Sequence, residues 1–429
     1  MAIKTKRFVN SRKSCSCSMP GVWRAVAYCD GIVVVFHSPR ACAHVARTMD
    51  INSHYRTLAS GRQEKRASVP LLSTQMQEKD SIFGGLDRLT QCLEFAVAEY
   101  KPQCLVIANS CVAGVIGDDV DSAAREIESI YGIPVLTVDC CGFLDGEYYE
   151  GYFEITQQLL DRFVKPCKKI PDTVLLLGDN GGPWGQYAVE VTRMLHEFGV
   201  QVIGQFPGYM SFNELPKVGA AETVIVMGGR GQTHVGLNKI ALQLQERFGM
   251  RYLPDIYPVG WKETEQWIES MGILLQREQQ AKQVLNLERE RLQSCLQKYL
   301  PVTAGKKAVL CIGRLIKYFH PGAVIQTINL LQLDLQGIII LDAYMGGEQQ
   351  EMLQVVRECS SVPVYNTADG EELLLQSDLV LTTHELQNKD IKQIFLPMLP
   401  VIGVAGELEM MDGIYRCLCS HLKGGMRYV

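Results

Sequence analysis

Apolar residues in this chain fall into two alternating patterns. Short unbroken runs are separated by segments whose apolar positions recur at helical spacing. GIVVVFH (31–37) and QCLVIANS (103–110) are runs of strand length. DRLTQCLEFAVAEY (87–100) and DSAAREIESIYG (121–132) have helical spacing, the second with Gly132 just past its end. IPVLTVDCCGF (133–143) is the next strand. The alternation restarts after KPCKKIPD (165–172). DTVLLLG is a strand, a glycine-rich turn leads into the helix QYAVEVTRMLHEFG, and VQVIGQF and ETVIVMGG are further strands. A polar, Gln- and Glu-rich helical stretch runs over 262–300. A third round follows Pro301, with strands KAVLCIG, GIIILDAY, VPVYNTAD and SDLVLTTHE and helices around 322–332 and over MLQVVRECS. Strand–helix alternation of this period predicts an α/β fold of three Rossmann-like domains with mainly parallel, doubly wound sheets. The expected units are 1–168, 169–262, a helical connection 263–300, and 301–429.

Composition adds exclusions. The 429 residues are 47% hydrophobic and 21% charged, enough for buried cores, and the net charge of −5 gives no basic field for nucleic acid. Lys4, Lys6, Arg7, Arg12 and Lys13 make a basic start, read as a solvated arm with phosphate binding second. No apolar core follows it as in a signal peptide, and no run is long enough to cross a bilayer. The expectation is a soluble cytoplasmic protein that binds neither membrane nor nucleic acid.

Fifteen cysteines then need an explanation. In a reducing compartment disulfides are disfavoured, and Cys92, Cys104, Cys295, Cys311 and Cys359 sit in periodic apolar segments as small core residues. Three others lie in loops among small residues: CSCSMPG (15–21), HSPRACAH (37–44) and NSCVAGVIGDD (109–119). The last two follow strands, and open parallel sheets gather functional residues where strands end. Three thiolates converging there could ligate a soft metal or an iron–sulfur cluster, or could be structural thiols. Spacing alone leaves this open, because no C-x-x-C occurs. The vicinal pair Cys140 and Cys141 cannot share one core, so one of them could face the same region. Cys417 and Cys419 read as packing residues.

Other chemistry is missing. No G-x-x-x-x-G-K-[ST] occurs, so ATP hydrolysis through a P-loop is not expected. HEFGV (196–200) and HELQN (384–388) lack the second histidine of a zinc-protease helix. GDNGGPWG (178–185) reads as a tight strand-to-helix turn. Asp118 and Asp119 read as helix caps rather than paired acid/base groups.

Together the three loops resemble the nitrogenase component 1 superfamily: C-x-M-P-G, then H-S-P-x-x-C, then S-C-V-A-x-V-I-G-D-D. EKDSIFGGLDRL (78–89) is similar to the family's Glu-x-x-x-Val-Phe-Gly-Gly segment, and VDCCGFLDG (138–146) to its strand leading into Gly-Phe-x-Gly. The strongest similarity covers the first third of the chain. The resemblance implies that Cys17, Cys42 and Cys111 ligate an iron–sulfur cluster shared with a homologous alpha-like subunit. That cluster is the 8Fe–7S P-cluster in nitrogenases and a 4Fe–4S cluster in dark-operative tetrapyrrole reductases. Gly84, Gly85 and Gly117 would allow close approach near it, and His37 lies nearest by loop position, with a structural role favoured. Cys15 is extra to the pattern.

The alpha subunit also holds its catalytic cofactor through a second-domain cysteine and a third-domain histidine. Here the corresponding strand end, ETVIVMGGR (222–230), has no thiol, and no cysteine lies between Cys167 and Cys295. The resemblance therefore implies a beta-like, electron-transferring subunit of an α2β2 nitrogenase-like reductase, served by an ATP-dependent iron protein. Its reaction would be reduction of dinitrogen or of a carbon–sulfur bond. A non-catalytic scaffold for metallocofactor assembly and a tetrapyrrole reductase subunit are the alternatives.

Overall fold

In the computed structural model, the described residues are 17–48, 67–140, 148–178, 186–228, 232–313, 321–341, 348–396 and 402–428. They form three sheets whose strand ladders are all parallel. The basic start, Cys15, Cys141 and the turn 179–185 lie outside them.

The first sheet contains β1 (Ile32–His37), β2 (Leu71–Ser73), β3 (Cys104–Ser110) and β4 (Val135–Cys140), in the order β2-β1-β3-β4. Every residue of β1 and β3 is buried. Alternate residues enter separate cores on the two faces: Val33, Val35, Leu105 and Ile107 in one, Val34, Phe36, Val106 and Ala108 in the other. Helices cover both faces, so the strands read as continuous apolar runs rather than alternating ones. The chain leaves β1 toward β2 on one side and returns to β3 on the other. The topological switch point, where such sheets bind ligands, therefore lies between β1 and β3.

The second sheet has the order β6-β5-β7, from β5 (Ile170–Leu177), β6 (Gln201–Phe206) and β7 (Ala221–Val226). The third contains β8 (Lys307–Ile312), β9 (Asp334–Ile340), β10 (Val364–Asn366), β11 (Leu379–Thr382), β12 (Gln393–Phe395) and β13 (Met426–Tyr428), in the order β10-β9-β8-β11-β12-β13. Between these sheets the expected helical stretch is two helices, Trp261–Leu275 and Glu278–Thr303, broken at Gln276, whose φ is +59°. Arg193 reaches Glu190 and Glu288, each at 2.8 Å, and Glu190 accepts the Ala405 N–H at 3.1 Å. Glu190 ties the C-terminal helix Gly403–Cys419 to the second sheet's helix Gln186–Glu197, and Glu288 ties the helix Glu278–Thr303 to that same helix through Arg193.

Cys104, Cys311 and Cys417 are fully buried, and Cys92, Cys295 and Cys359 are partly buried against the cores. Cys419 is exposed.

The C-terminal helix also buries a carboxylic acid. Desolvation raises Glu407 to about 7 from an ordinary 4.5. The folded state therefore prefers the neutral acid, and its stability falls as pH rises from about 4.5 to about 7. The loss is on the order of 3 kcal/mol, at about 1.4 per unit. Glu407→Gln is expected to remove that slope in denaturant midpoints measured across this window and to stabilise the protein at neutral pH.

Candidate functional site

Cys42 and Cys111 lie just beyond the two strands that flank the first sheet's switch point. Two residues separate β1 from the helix 40–48, which carries Cys42 in its first turn. Cys111 follows β3 directly and opens the short helix Cys111–Ile116. Ser110 caps that helix through the Ala113 N–H, and Gly117 ends it with φ +77°. Cys17 comes from outside the sheet as the N-cap of helix Ser18–Val26. Pro20 fits that helix's first turn, where its missing N–H has no helical acceptor anyway. The helix is held against Tyr148–Phe163 by two glycines at the crossing. A Cβ on Gly21 would meet the Tyr148 carbonyl at 1.8 Å, and one on Gly151 the Ser18 carbonyl at 2.3 Å. Backbone-to-backbone contact thus fixes where Cys17 sits.

The three thiols are near enough to repel one another as thiolates. Burial is the main force raising the Cys17 pKa, with the Met19 N–H opposing it and Cys111 and Cys42 adding to it. Burial likewise raises Cys42, opposed by Ser38 and reinforced by Cys111. The Cys111 thiol donates to the Cys140 carbonyl at 3.6 Å. Burial keeps the Cys17 and Cys42 thiols protonated, so a metal group would bind them with release of protons.

Among the described residues, no group of three His, Cys, Asp or Glu side chains is drawn tightly enough to hold a single metal ion. A lone ion takes every thiolate at about 2.3 Å from one centre. An iron–sulfur cluster takes each thiolate on a different iron, so its ligands stand apart. Three half-buried soft donors at a switch point fit a cluster better than an ion.

A second layer of polar contacts braces these loops. The fully buried His37, last residue of β1, donates from Nε2 to Asp118 at 2.9 Å. Its Nδ1 lies 3.2 Å from the Thr74 hydroxyl. Burial lowers the His37 pKa although Asp118 opposes it, so the ring is neutral. Asp118 also accepts the Gly85 N–H at 3.0 Å. The Asp118 carboxylate therefore joins the end of β1 to the start of helix Leu86–Tyr100, and His37 extends the network to the turn after β2 through Thr74. A Cβ on Gly85 would lie 2.9 Å from Asp118, His37 and Met76 alike, and Gly84 has φ +89°. Gly85 thus permits this internal packing. Gly117 meets nothing within 4 Å, so its requirement is conformational. Of the expected caps, Asp119 alone is one, taking the Ser122 N–H at 3.0 Å at the start of helix Val120–Tyr131. Asp118 is the brace instead, a role that sequence spacing did not reveal.

Beside Cys111 lies an exposed apolar patch. The turn Asp80–Phe83 packs on helix Cys111–Ile116, and Ile82, Phe83 and Val115 are exposed, Phe83 at 85%. Large apolar side chains grouped in water mark interaction surfaces. Among the described residues no helix is long and apolar enough to cross a membrane.

Comparison with known proteins bears on the whole chain. It is 30% identical over 310 residues to the nitrogenase iron-molybdenum cofactor biosynthesis protein NifE of Clostridium pasteurianum, covering 68% of this chain and 64% of that one. It is 24% identical over 249 residues to the nitrogenase molybdenum-iron protein alpha chain of Methanosarcina barkeri, covering 56% of this chain and 45% of that one. The chain thus spans less than two thirds of the length of these relatives. The solved structure "Nitrogenase Cp1 at pH 5" shares the fold, with a TM-score of 0.66, 17% identity, and coverage of 98% of this chain and 91% of that one. The family model for nitrogenase component 1 type oxidoreductases matches residues 17–407, from Cys17 to the C-terminal helix, and the chain belongs to that family.

Proposed function

We propose that this chain is one of two homologous subunits of a cytoplasmic nitrogenase-like reductase, and that Cys17, Cys42 and Cys111 hold an iron–sulfur cluster shared with the partner subunit. The observation that carries this is the meeting of three half-buried thiols at the first sheet's switch point, braced by Asp118. Such a cluster, 8Fe–7S or 4Fe–4S, supplies one-electron storage at low potential when bound. The protein's part is to present three soft donors from three separately anchored segments. His37 and Asp118 keep those segments in place.

The patch formed by Ile82, Phe83 and Val115 borders the Cys111 helix and suits docking of an ATP-dependent iron protein. The lack of a P-loop accords with ATP chemistry in a separate chain. The missing thiol at the end of β7 favours a beta-like, electron-transferring position in an α2β2 assembly, with dinitrogen or a carbon–sulfur bond as the bond reduced. A scaffold for metallocofactor assembly is the second reading, favoured by the 30% identity to NifE.

The two readings part on ATP-dependent electron uptake. The purified complex, mixed with its iron protein, MgATP and dithionite, is expected to accept electrons and reduce protons to dihydrogen over many turnovers. Uptake without turnover would favour the scaffold.

A further inference from the structure

The Cys42 thiol has a polar neighbour outside the Asp118 brace. Ser38 follows His37 and is fully buried, so its hydroxyl is shielded from solvent. Its main chain is fixed on both sides. The N–H donates to the Thr74 hydroxyl at 3.1 Å, and the carbonyl accepts the Met76 N–H at 3.1 Å and the Ser73 hydroxyl at 3.2 Å. The side chain therefore starts from a set position. Its oxygen stands 3.0 Å from the Pro39 carbonyl, to which the Cys42 N–H also donates at 3.1 Å. This turn brings Cys42 back beside Ser38, and the Ser38 hydroxyl hydrogen-bonds to the Cys42 sulfur as well.

The hydroxyl has one proton and two acceptors, and the charge on sulfur decides between them. Beside a neutral thiol, which can itself donate to Ser38 Oγ, the proton goes to the Pro39 carbonyl. Beside a thiolate it goes to sulfur, because hydrogen bonds to ionised groups are about twice as strong as neutral ones. The Pro39 oxygen is not orphaned by the change, since it keeps the Cys42 N–H. At Cys17 the matching donor is the main-chain N–H of Met19, which no side-chain substitution deletes.

We infer that the Ser38 hydroxyl donates to the metal-bound Cys42 thiolate and thereby tunes the reduction potential of the cluster. This rests on the cluster reading and deepens it, since it names a residue that adjusts the group without holding it. An added electron raises the negative charge on the ligating sulfurs. A donor fixed on one of them therefore favours the reduced state and raises the potential. Burial of Ser38 strengthens the effect, because the local dielectric is low. Only the electron moves. The hydroxyl keeps its hydrogen in both states, so Ser38 adds no proton to the couple.

The test is a spectroscopic redox titration of the anaerobically purified complex, with dithionite as reductant. Ser38→Ala is expected to keep its iron and sulfide and to move the midpoint to a more negative potential. At the wild-type midpoint its ratio of reduced to oxidised cluster should fall about tenfold, which is about 59 mV for a one-electron couple. Ser38→Gly lacks the same hydroxyl and serves if the alanine variant does not fold. Ser73→Ala loosens the Ser38 carbonyl but leaves the hydroxyl, and should stay at the wild-type potential. Resonance Raman spectra give a second readout: the iron–thiolate stretches shift in deuterium oxide, and the variant without the hydroxyl loses part of that shift. An unchanged midpoint in the iron-loaded variant, an undiminished deuterium shift, or an equal displacement in Ser73→Ala overturns the inference and leaves the cluster reading standing. A wild type without iron overturns the cluster reading, and the inference falls with it.

Discussion

Replacement of Cys42 by serine is expected to strip the complex of most of its iron and sulfide when it is purified without oxygen. A serine hydroxyl is a hard, weakly acidic donor where iron–sulfur chemistry needs a thiolate. Cys17 and Cys42 each feel Cys111, and Cys17 feels Cys42. Even changes to groups that only orient metal ligands lower affinity about 10- to 100-fold, and loss of a ligand is expected to exceed that. Cys167→Ser is the control. That thiol is exposed, donates to the Pro216 carbonyl, and stands away from the three loops. Full retention of iron and sulfide by Cys42→Ser would exclude Cys42 as an essential ligand.

Asp118→Ala is expected to destabilise the protein by about 2–6 kcal/mol, at about 1–3 kcal/mol for each of two buried N–H groups left unsatisfied. The substitution leaves the His37 Nε2–H and the Gly85 N–H without an acceptor where neither is solvated. Asp118→Asn keeps an acceptor oxygen and should lose less. Denaturant unfolding of the two variants measures this, and a loss under about 1 kcal/mol, the usual size of a surface effect, would mean that the brace is not needed. Because Asp118 follows the helix that Cys111 begins, the alanine variant should also bind its cluster less firmly.

The strands were legible because the sheets are parallel and covered on both faces. IVVVF and CLVIA are unbroken apolar runs with no ambiguity of face. Three short strands were not. β2, β12 and β13 have three residues each, and nothing in LLS, QIF or MRY separates them from loop. The helix that Cys17 caps is not legible in S-M-P-G, which is turn-prone locally; the Gly21–Gly151 crossing that holds it is a tertiary contact. The three loop cysteines stood out because each sits among small residues near a strand end. The Asp118 brace and the His234–Tyr257 hydrogen bond join residues 81 and 23 positions apart. No local pattern marks such pairs, because their partners are chosen by the sheet and not by the chain.

The most direct test of the central claim is an iron and acid-labile sulfide count on the anaerobically purified complex, wild type beside the variant with Cys17, Cys42 and Cys111 all changed to serine. The account predicts several irons with matching sulfide in the wild type and neither in the triple variant. A wild type free of iron, or a triple variant with an undiminished count, would contradict it.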